Sequence, residues 1–534
     1  MEKILRTDNA YTAIDKINDN FKEVVSMESV VIAEGSLGGA NKNFVFAYLE
    51  EVVPGDMIHI DFPGGNWADI TGLTSSSAKL SIGYRDNTPT AHAMMMVFLG
   101  ETVQGCGYDV YVSPGYSADY KDLYIAIRAA TGTNVKYKVS RVDRDKVKDY
   151  FASEMADTVQ KVKARQTDGC FTFAMVTDIH YRSNNDGPVL SHYAAINMGA
   201  NLAEFSKRVR LDNVVCLGDV IDGLSTAFQS NCDAQDMMRV FGGIKAPLIN
   251  VVGNHDDNRY YSQGNGDRIF TQQEIVSNFI VPVDERTSVG GAMGGCNYYR
   301  DVDRLKLRLV VLMGIDFEGS YYYTSDTRAW LADTYSSLPE GYKAVLFTHV
   351  PPLAAQSWNN TQYTGGILLA GIISENIDKT VCLFEGHTHL DNTFVSPYFA
   401  IMSSSQKCYT LGSLTNAPED SIFPTRAAGD YREDLWNAVV IDQTNSLVSV
   451  IRFGAGNDRY VHLTPVEVPA GSTATLTPSV ITASSWTSRS SESSSISIAD
   501  GVVTVDSAAT SDSRLTARAV DSSGNMEIWC IKVS

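Results

Sequence analysis

The chain has 534 residues, 44% of them apolar and 20% charged, proportions that suit several compact domains and not a disordered polymer. A balance of 43 Lys and Arg against 62 Asp and Glu gives a net charge of -19, which repels polyanions and argues against non-specific binding to nucleic acid. No run of about 20 apolar residues is present, so no membrane span is expected, and the opening MEKILRTDNAYTAIDKINDNF lacks the apolar stretch of a secretory signal. Synthesis in the cytoplasm is therefore expected, with any export by another route. The 8 cysteines form no CxxC pair and no dense framework, and read as mostly free, buried thiols.

Residues 1–28 are expected to form a helical segment, because Ala10, Ile14, Ile17, Phe21, Val24 and Val25 recur at three- and four-residue steps behind a capping Asp8. A helix this short is unstable alone, so its apolar stripe must pack on this chain or on another copy. Residues 29–143 supply seven short alternating or β-branched runs (SVVIAEG, FVFAYLE, DMIHIDF, KLSIGY, YDVYVS, DLYIAIRAA and VKYKVSRV) between Gly, Pro, Asn and Ser, the pattern of a β-sandwich that spaces or binds. Residues 144–168 read as a helical connector with alternating charges. From 169 to 460 the order strand, turn, helix repeats, which predicts an α/β domain. Residues 461–534 turn to Ser, Thr, Ala and Val in runs that read as a small β-sandwich.

Five apolar runs in the α/β domain each end in a polar cluster: FTFAMVT before Asp178, Ile179 and His180; NVVCL before Gly218, Asp219 and Asp222; PLINVV before Gly253, Asn254, His255 and Asp256; KAVLFT before His349; and TVCLFE before Gly386, His387, Thr388 and His389. Strand ends are where α/β sheets place ligand sites, and the glycines permit tight turns and close backbone approach. Five of the 9 histidines of the chain fall in these clusters, whereas a lone histidine at a strand edge is ordinarily only packing.

A phosphate ester is anionic and resists nucleophiles, so its hydrolysis benefits from two cations that bind its oxygens and acidify a water. Imidazoles and carboxylates suit Mn, Fe, Zn or Ni, and one carboxylate can bridge two ions. Cysteine is absent from the clusters, which disfavours a purely structural zinc site.

The DxH, GDxxD, GNHD, H and GHxH motifs, in this order, resemble those of the calcineurin-like metallophosphoesterase superfamily. The resemblance implies that Asp178, His180 and His389 hold a first metal, that Asp219 bridges, and that Asn254, His349 and His387 hold a second. It further implies that His255 is the acid assisting the leaving oxygen, with Asp222 orienting its ring, and that the catalytic fold is a central β-sandwich flanked by helices in four layers. Serine/threonine protein phosphatases of this superfamily carry an Arg directly after the second Asp of GDxxD. Gly223 stands there in this chain, which argues against a protein-phosphatase assignment.

Other positions read as structural: Asn297, Tyr298, Tyr299 and Arg300 as a strand edge, Arg452, Asp458 and Arg459 as a turn closing the domain, and SYYYTSD at 320–326 as an aromatic strand. Specificity is expected in the loops 181–192, 223–232, 257–270 and 351–365, and no substrate-binding residue is assigned.

TAIDKINDNFKEV near the start resembles the N-terminal helices of bacteriophage tail and tail-fibre proteins, and the last 70 or so residues resemble bacterial Ig-like domains. These resemblances imply a virion enzyme on a phage tail, assembled as a homo-trimer or with other tail proteins. The function expected is a two-metal phosphodiesterase acting on a phosphate-containing surface polymer such as teichoic acid or a phosphorylated glycan. The alternatives are a soluble phosphatase or phosphodiesterase for nucleotides or small phosphate esters, and a structural attachment protein with an inactive site.

Overall fold

The computed structural model describes residues 149–182, 192–259, 268–280, 288–290, 294–317, 323–353, 363–389, 391–395, 400–403, 431–489, 492–511 and 513–534, together with seven strands before residue 149. Those strands fall on the seven runs read between 29 and 143: β1 (Val30–Gly38), β2 (Val45–Leu49), β3 (Met57–Asp61), β4 (Leu80–Arg85), β5 (Gly107–Tyr111), β6 (Asp122–Ile127) and β7 (Asn134–Val142). They pair antiparallel in two sheets, β1-β7-β3-β5 and β2-β6-β4. The helix expected over residues 10–25 lies outside the described residues.

Helix α1 (Asp149–Arg165) follows. Its apolar positions Phe151, Met155, Val159 and Val162 recur at helical spacing and pack into the main core, because a helix buries residues three or four apart on one face. Phe151 stacks on Phe453 with ring centroids 6.0 Å apart.

The next elements are β8 (Cys170–Val176), α2 (His192–Arg208), β9 (Asn213–Cys216), α3 (Ala227–Gly242), β10 (Leu248–Asn250), α4 (Gln272–Ile275), β11 (Ser288–Gly290), β12 (Asn297–Val302) and β13 (Leu307–Leu312). After them come α5 (Ser325–Ser336), β14 (Lys343–Thr348), α6 (Gly366–Glu375), β15 (Thr380–Glu385), β16 (Asn392–Val395), β17 (Ala400–Ser403), β18 (Leu435–Asp442), β19 (Leu447–Gly454) and β20 (Arg459–His462). A seven-stranded sheet has the order β11-β12-β13-β14-β15-β17-β16, and a second sheet begins β10-β9-β8-β18-β19-β20. Strands β8, β9 and β10 run parallel, as do β13, β14, β15 and β17.

Alternation along the strands sorts the core into layers. Leu307, Leu309 and Val311 of β13, with Val345 and Phe347 of β14, join the cluster shared with the other sheet. Their neighbours Val310, Leu312, Ala344 and Leu346 face a second cluster with Leu331 and Tyr335 of α5 and Leu369 and Ile373 of α6. Successive strand residues point to opposite faces, so a continuous apolar run is what a strand buried on both sides requires. Between the sheets, Phe173 meets Phe347 edge-on at 5.7 Å and Phe384 edge-on at 5.3 Å. On the far side of the other sheet, Phe205 of α2 packs on Trp436 of β18 at 5.0 Å. The result is a mixed α/β fold, two facing sheets with helices outside them.

The chain ends in β21 (Val466–Val468), β22 (Thr473–Thr475), β23 (Ser485–Ser488), β24 (Ile496–Ala499), β25 (Val502–Val505), β26 (Arg514–Val520) and β27 (Met526–Val533). β20 pairs with β19 on one side and runs parallel to β27 on the other, so the sheet continues β20-β27-β26-β23, and the boundary drawn after residue 460 falls inside β20. The junction is polar and closed. Buried Glu527 accepts from His462 Nε2 at 2.7 Å, from Ser479 Oγ at 2.9 Å and from the main-chain N–H groups of Ser479, Val480 and Ile481. No helix among the described residues is long and apolar enough to cross a membrane.

Phe173 joins the two sheets, and truncating a buried phenylalanine costs about 3–5 kcal/mol. Phe173→Ala is therefore expected to lower unfolding free energy by roughly that amount in chemical denaturation; a loss below about 1 kcal/mol would mean that the inter-sheet packing does not carry the fold.

Candidate metal centre

The five polar clusters sit at the carboxyl ends of β8, β9, β10, β14 and β15, and they bring two sheets' worth of side chains together. Asp178, His180, Asp219 and His389 offer ligand atoms that all lie within 4.8 Å of one another, and Asp219, His349 and His387 form a second such group. Asp219 belongs to both. His389 Nε2 is 3.1 Å from Asp178 Oδ1 and 3.2 Å from His180 Nε2, while His349 Nε2 is 3.1 Å from Asp219 Oδ2 and 3.0 Å from Asn254 Oδ1. Ligands held about 2.0–2.2 Å from one ion lie roughly 3.0–3.5 Å apart, so these separations fit divalent ions with N and O donors. His180, Asp222 and His255 gather as a third group beside them.

Several backbone positions here are strained. Asp178, His180, Asp219, His387 and His389 all have φ between 49° and 66°, a region non-glycine residues seldom occupy and hold only where the surroundings over-determine it. The surroundings are visible. Asp178 accepts from Thr177 Oγ1 at 2.6 Å and from the His387 N–H at 3.0 Å, and Asp219 Oδ1 accepts from the His255 N–H at 2.8 Å. Close approach needs glycine at Gly386, where an added Cβ would lie 2.1 Å from Thr177 Oγ1 and 2.9 Å from Asp178 Oδ2. Gly223 has φ +60°, and a Cβ there would meet the His255 carbonyl at 2.3 Å. An Arg after Asp222 would need this turn rebuilt.

Tautomers are set by main-chain carbonyls. His349 Nδ1–H donates to Leu217 O at 2.7 Å, which turns Nε2 toward Asp219 and Asn254. His255 Nδ1–H donates to Asp222 O at 2.7 Å, which leaves Nε2 as the unprotonated ring nitrogen of the neutral imidazole. Asp222 thus orients His255 through its main chain. Its carboxylate instead lies 3.5 Å from His180 Nδ1 and 3.4 Å from Arg182 Nε, the outer partner that a ligating histidine ordinarily has.

Electrostatics follows from burial. For His349, desolvation favours the neutral ring, but Asp219 beside it outweighs this and lifts the imidazole to about 9. Burial and the neighbouring His349 push His387 down to about 3. Asp178 is held at about 2 against its own burial by His389, and Asp219 well below the carboxylate range, against burial, by His349 and His255. Burial lowers His255, with Asp219 opposing.

Three contributors have no role in the site as read from sequence. Asp256 accepts the N–H groups of Asp219, Val220, Ile221 and Gly253 at 2.8–3.2 Å, clamping the loop that carries Asp219. Burial and Asp219 push its carboxyl up to about 7 against the Gly253 and Ile221 N–H groups. Its place in GNHD was the available signal. Tyr363 places its hydroxyl 3.0 Å from His387 Nε2, a contact with no local signal because the two residues are 24 positions apart. Tyr323, within SYYYTSD, is fully buried and bonds Thr348 Oγ1 and Val350 O on either side of His349. By contrast Tyr298 bonds the main chain of Asn250 and Tyr299 lies under Arg308, so both are structural, but they stand within β12, paired on both sides, and not at a strand edge.

Loops from two facing sheets thus share one carboxylate between two groups of side chains able to hold a metal ion. Residues 171–391 match the model of the calcineurin-like phosphoesterase family. The chain carries a calcineurin-like metallophosphoesterase domain and is a metal-dependent phosphoric ester hydrolase that uses two divalent metals. Similar solved structures include a dimetal phosphatase from Danio rerio, at 13% identity over 55% of this chain and 99% of that one, with a TM-score of 0.40. A purple acid phosphatase from yellow lupin (Lupinus luteus) seeds is 8% identical over 79% and 72%, with a TM-score of 0.36. A putative 5'-nucleotidase from Staphylococcus aureus is 9% identical over 55% and 54%, with a TM-score of 0.32. No curated protein matches the chain.

A raised His349 carries a proton that a metal must displace. Its charged form contributes stability to the metal-free fold that is complete below its ordinary 6.5 and is lost as pH rises through about 9. Metal affinity runs the other way, weakening as pH falls below about 9. Calorimetry at pH 7.5 in buffers of different ionisation enthalpy should record release of about one proton as this position fills; no release would contradict a charged His349.

Proposed function

We propose that the domain is a two-metal phosphodiesterase acting on a phosphate-containing cell-surface polymer, a teichoic acid or phosphorylated glycan, from a phage tail. The observation that carries the catalytic part is Asp219, whose carboxylate stands in both ligand groups. Asp178, His180 and His389 would hold one ion, Asn254, His349 and His387 the other, with Asp219 between them. Two such ions, when bound, supply Lewis acidity toward the phosphoryl oxygens and toward a water. The chain's own residues do the rest. His180 and His255 stand edge to face with ring centroids 4.4 Å apart, so His255 borders the first ligand group without being counted in it. Its Nε2 is aimed by the Asp222 carbonyl to move a proton to a leaving oxygen.

Support for the polymer and tail comes from the flanks: the likeness of TAIDKINDNFKEV to tail-protein helices, the likeness of the last residues to Ig-like domains, and strand-rich segments on both sides of the catalytic domain. Such modules suit an anchored, large substrate. The intact ligand set argues against an attachment protein with a decayed site.

Hydrolysis of bis(p-nitrophenyl) phosphate should exceed that of the monoester with Mn-loaded enzyme, and phosphate-containing fragments should leave teichoic-acid-bearing cell walls. Monoester preference without release from walls would move the assignment to nucleotides or small esters; no turnover of either with two metals bound would favour the attachment reading. Asp219→Asn is expected to disturb both ions together, and near-normal content at both positions would show that Asp219 is not shared. His255→Ala should lower kcat by about 10²–10⁴-fold while metal content persists; loss of both metals would make His255 a ligand.

A further inference from the structure

Two residues beyond His389, Asp391 is 1% exposed and lies between two arginines from other strands. Its Oδ2 is 2.7 Å from Arg452 Nη2 on β19, and its Oδ1 is 2.7 Å from Arg459 Nη2 on β20. Both guanidinium groups are buried. Arg452 also donates to Ala455 O at 3.0 Å, and its main-chain N–H goes to Asp458 Oδ1 at 2.8 Å. Asp458 is itself paired with Lys161 of α1 at 3.0 Å. Two residues further on, Thr393 takes Arg459 Nη1 on its hydroxyl at 3.0 Å and Arg518 Nη2, from β26, on its carbonyl at 3.2 Å. A buried charge is stable only where it is paired with good geometry, so these contacts leave the segment 391–393 little latitude.

His389 needs such a constraint. It is left-handed at φ 55°, as is His387 at φ 66°, and strained residues keep their conformation only when flanking contacts force it. Upstream, Gly386 donates to His349 O at 3.1 Å and His387 to Asp178 Oδ2 at 3.0 Å. Downstream, the segment is tied to β19, β20 and β26. We infer that Asp391, clamped by Arg452 and Arg459, is a positioning residue for His389, and that Arg518 extends the clamp into the C-terminal strands, which makes residues beyond 460 part of the metal centre's support. The inference rests on reading the histidine and carboxylate groups as a metal centre. Its chemical content is selective: the clamp bears on His389 and hence on the group with Asp178, His180 and Asp219, while His387 has its own ties to Asp178 and Tyr363.

The test uses full-length protein stripped of metal and titrated with Mn²⁺ alone by calorimetry, with thermal unfolding in parallel. The variants are Asp391→Asn, Arg518→Met, His389→Ala and a distant core control, Val503→Ala, which lies in the cluster of the C-terminal strands. Wild type should bind two ions, and His389→Ala identifies the event that depends on that imidazole. Asp391→Asn is expected to weaken that event by about 10- to 100-fold and the other by no more than about threefold, a size usual for outer partners of metal ligands. Arg518→Met, which leaves the buried ion cluster intact, should weaken the same event severalfold and decides the matter if Asp391→Asn does not fold. Val503→Ala should lower Tm without changing the ratio of the two affinities. Unchanged affinities in the folded clamp variants, or equal weakening of both events in step with lost Tm, would overturn the inference. Failure of wild type to bind two ions would instead remove the metal-centre reading beneath it.

Discussion

A carboxylate taken out of water has to be met by positive charge or by donors, and Asp219 is the place where this chain concentrates that demand. It is 1% exposed, faces His349 and His180 through one oxygen, and takes the His255 N–H on the other. Asp256 then holds the loop around it by four main-chain donors. Asp178 is also fully buried nearby. Ionised groups at this depth cost several kcal/mol each unless compensated, and imidazoles alone supply protons only at the expense of being ligands. Divalent ions answer the same electrostatic demand with more charge, while leaving the rings neutral. The left-handed backbone at five motif residues belongs to the same account, since strain is tolerated where neighbouring contacts determine the geometry.

Ligands come from both sheets. β8, β9 and β10 deliver Asp178, His180, Asp219, Asn254 and His255; β14 and β15 deliver His349, His387 and His389. Each ligand group therefore spans the gap between sheets, and the spacing of that gap sets the distances within the centre. Phe173, Phe347 and Phe384 fill it just beneath the motifs, with every ring contact between 5.3 and 5.7 Å. Interiors packed to crystal density yield little to local force, which is how a few aromatic contacts can hold nitrogen and oxygen atoms at separations suited to one ion. Tyr323, braced against both neighbours of His349, does the same from the outer layer.

The C-terminal strands extend this logic. A module that merely followed the catalytic domain would meet it through a linker, yet β20 is shared and Glu527 closes the joint with five donor groups. Arg518 reaches from β26 to Thr393 beside the metal loops. The net charge of -19 coexists with this local need for cations because the acidic excess is distributed over the chain, while the buried arginines sit where single carboxylates demand partners.

Much of the centre was legible from sequence because its chemistry is local to short motifs. DxH, GDxxD, GNHD and GHxH each place potential ligands within a few residues of a strand end, and histidine is rare enough elsewhere in the chain for the clustering to stand out. Alternating and continuous apolar runs likewise located the strands, since side-chain direction in a strand depends only on position parity. What the motifs could not contain is anything set by residues distant in sequence: Tyr363 against His387, Asp391 between Arg452 and Arg459, and Arg518 on Thr393. Arg452 and Arg459 read from sequence as a turn closing the domain, a reading that carries nothing about the carboxylate of Asp391 between them. The sequence by itself determined which side chains are able to bind metal, because that is a matter of residue type and local spacing. Only the tertiary structure decided which of them meet, at what distance and with which supports, because sheet packing and buried charge pairing join segments that no local pattern connects.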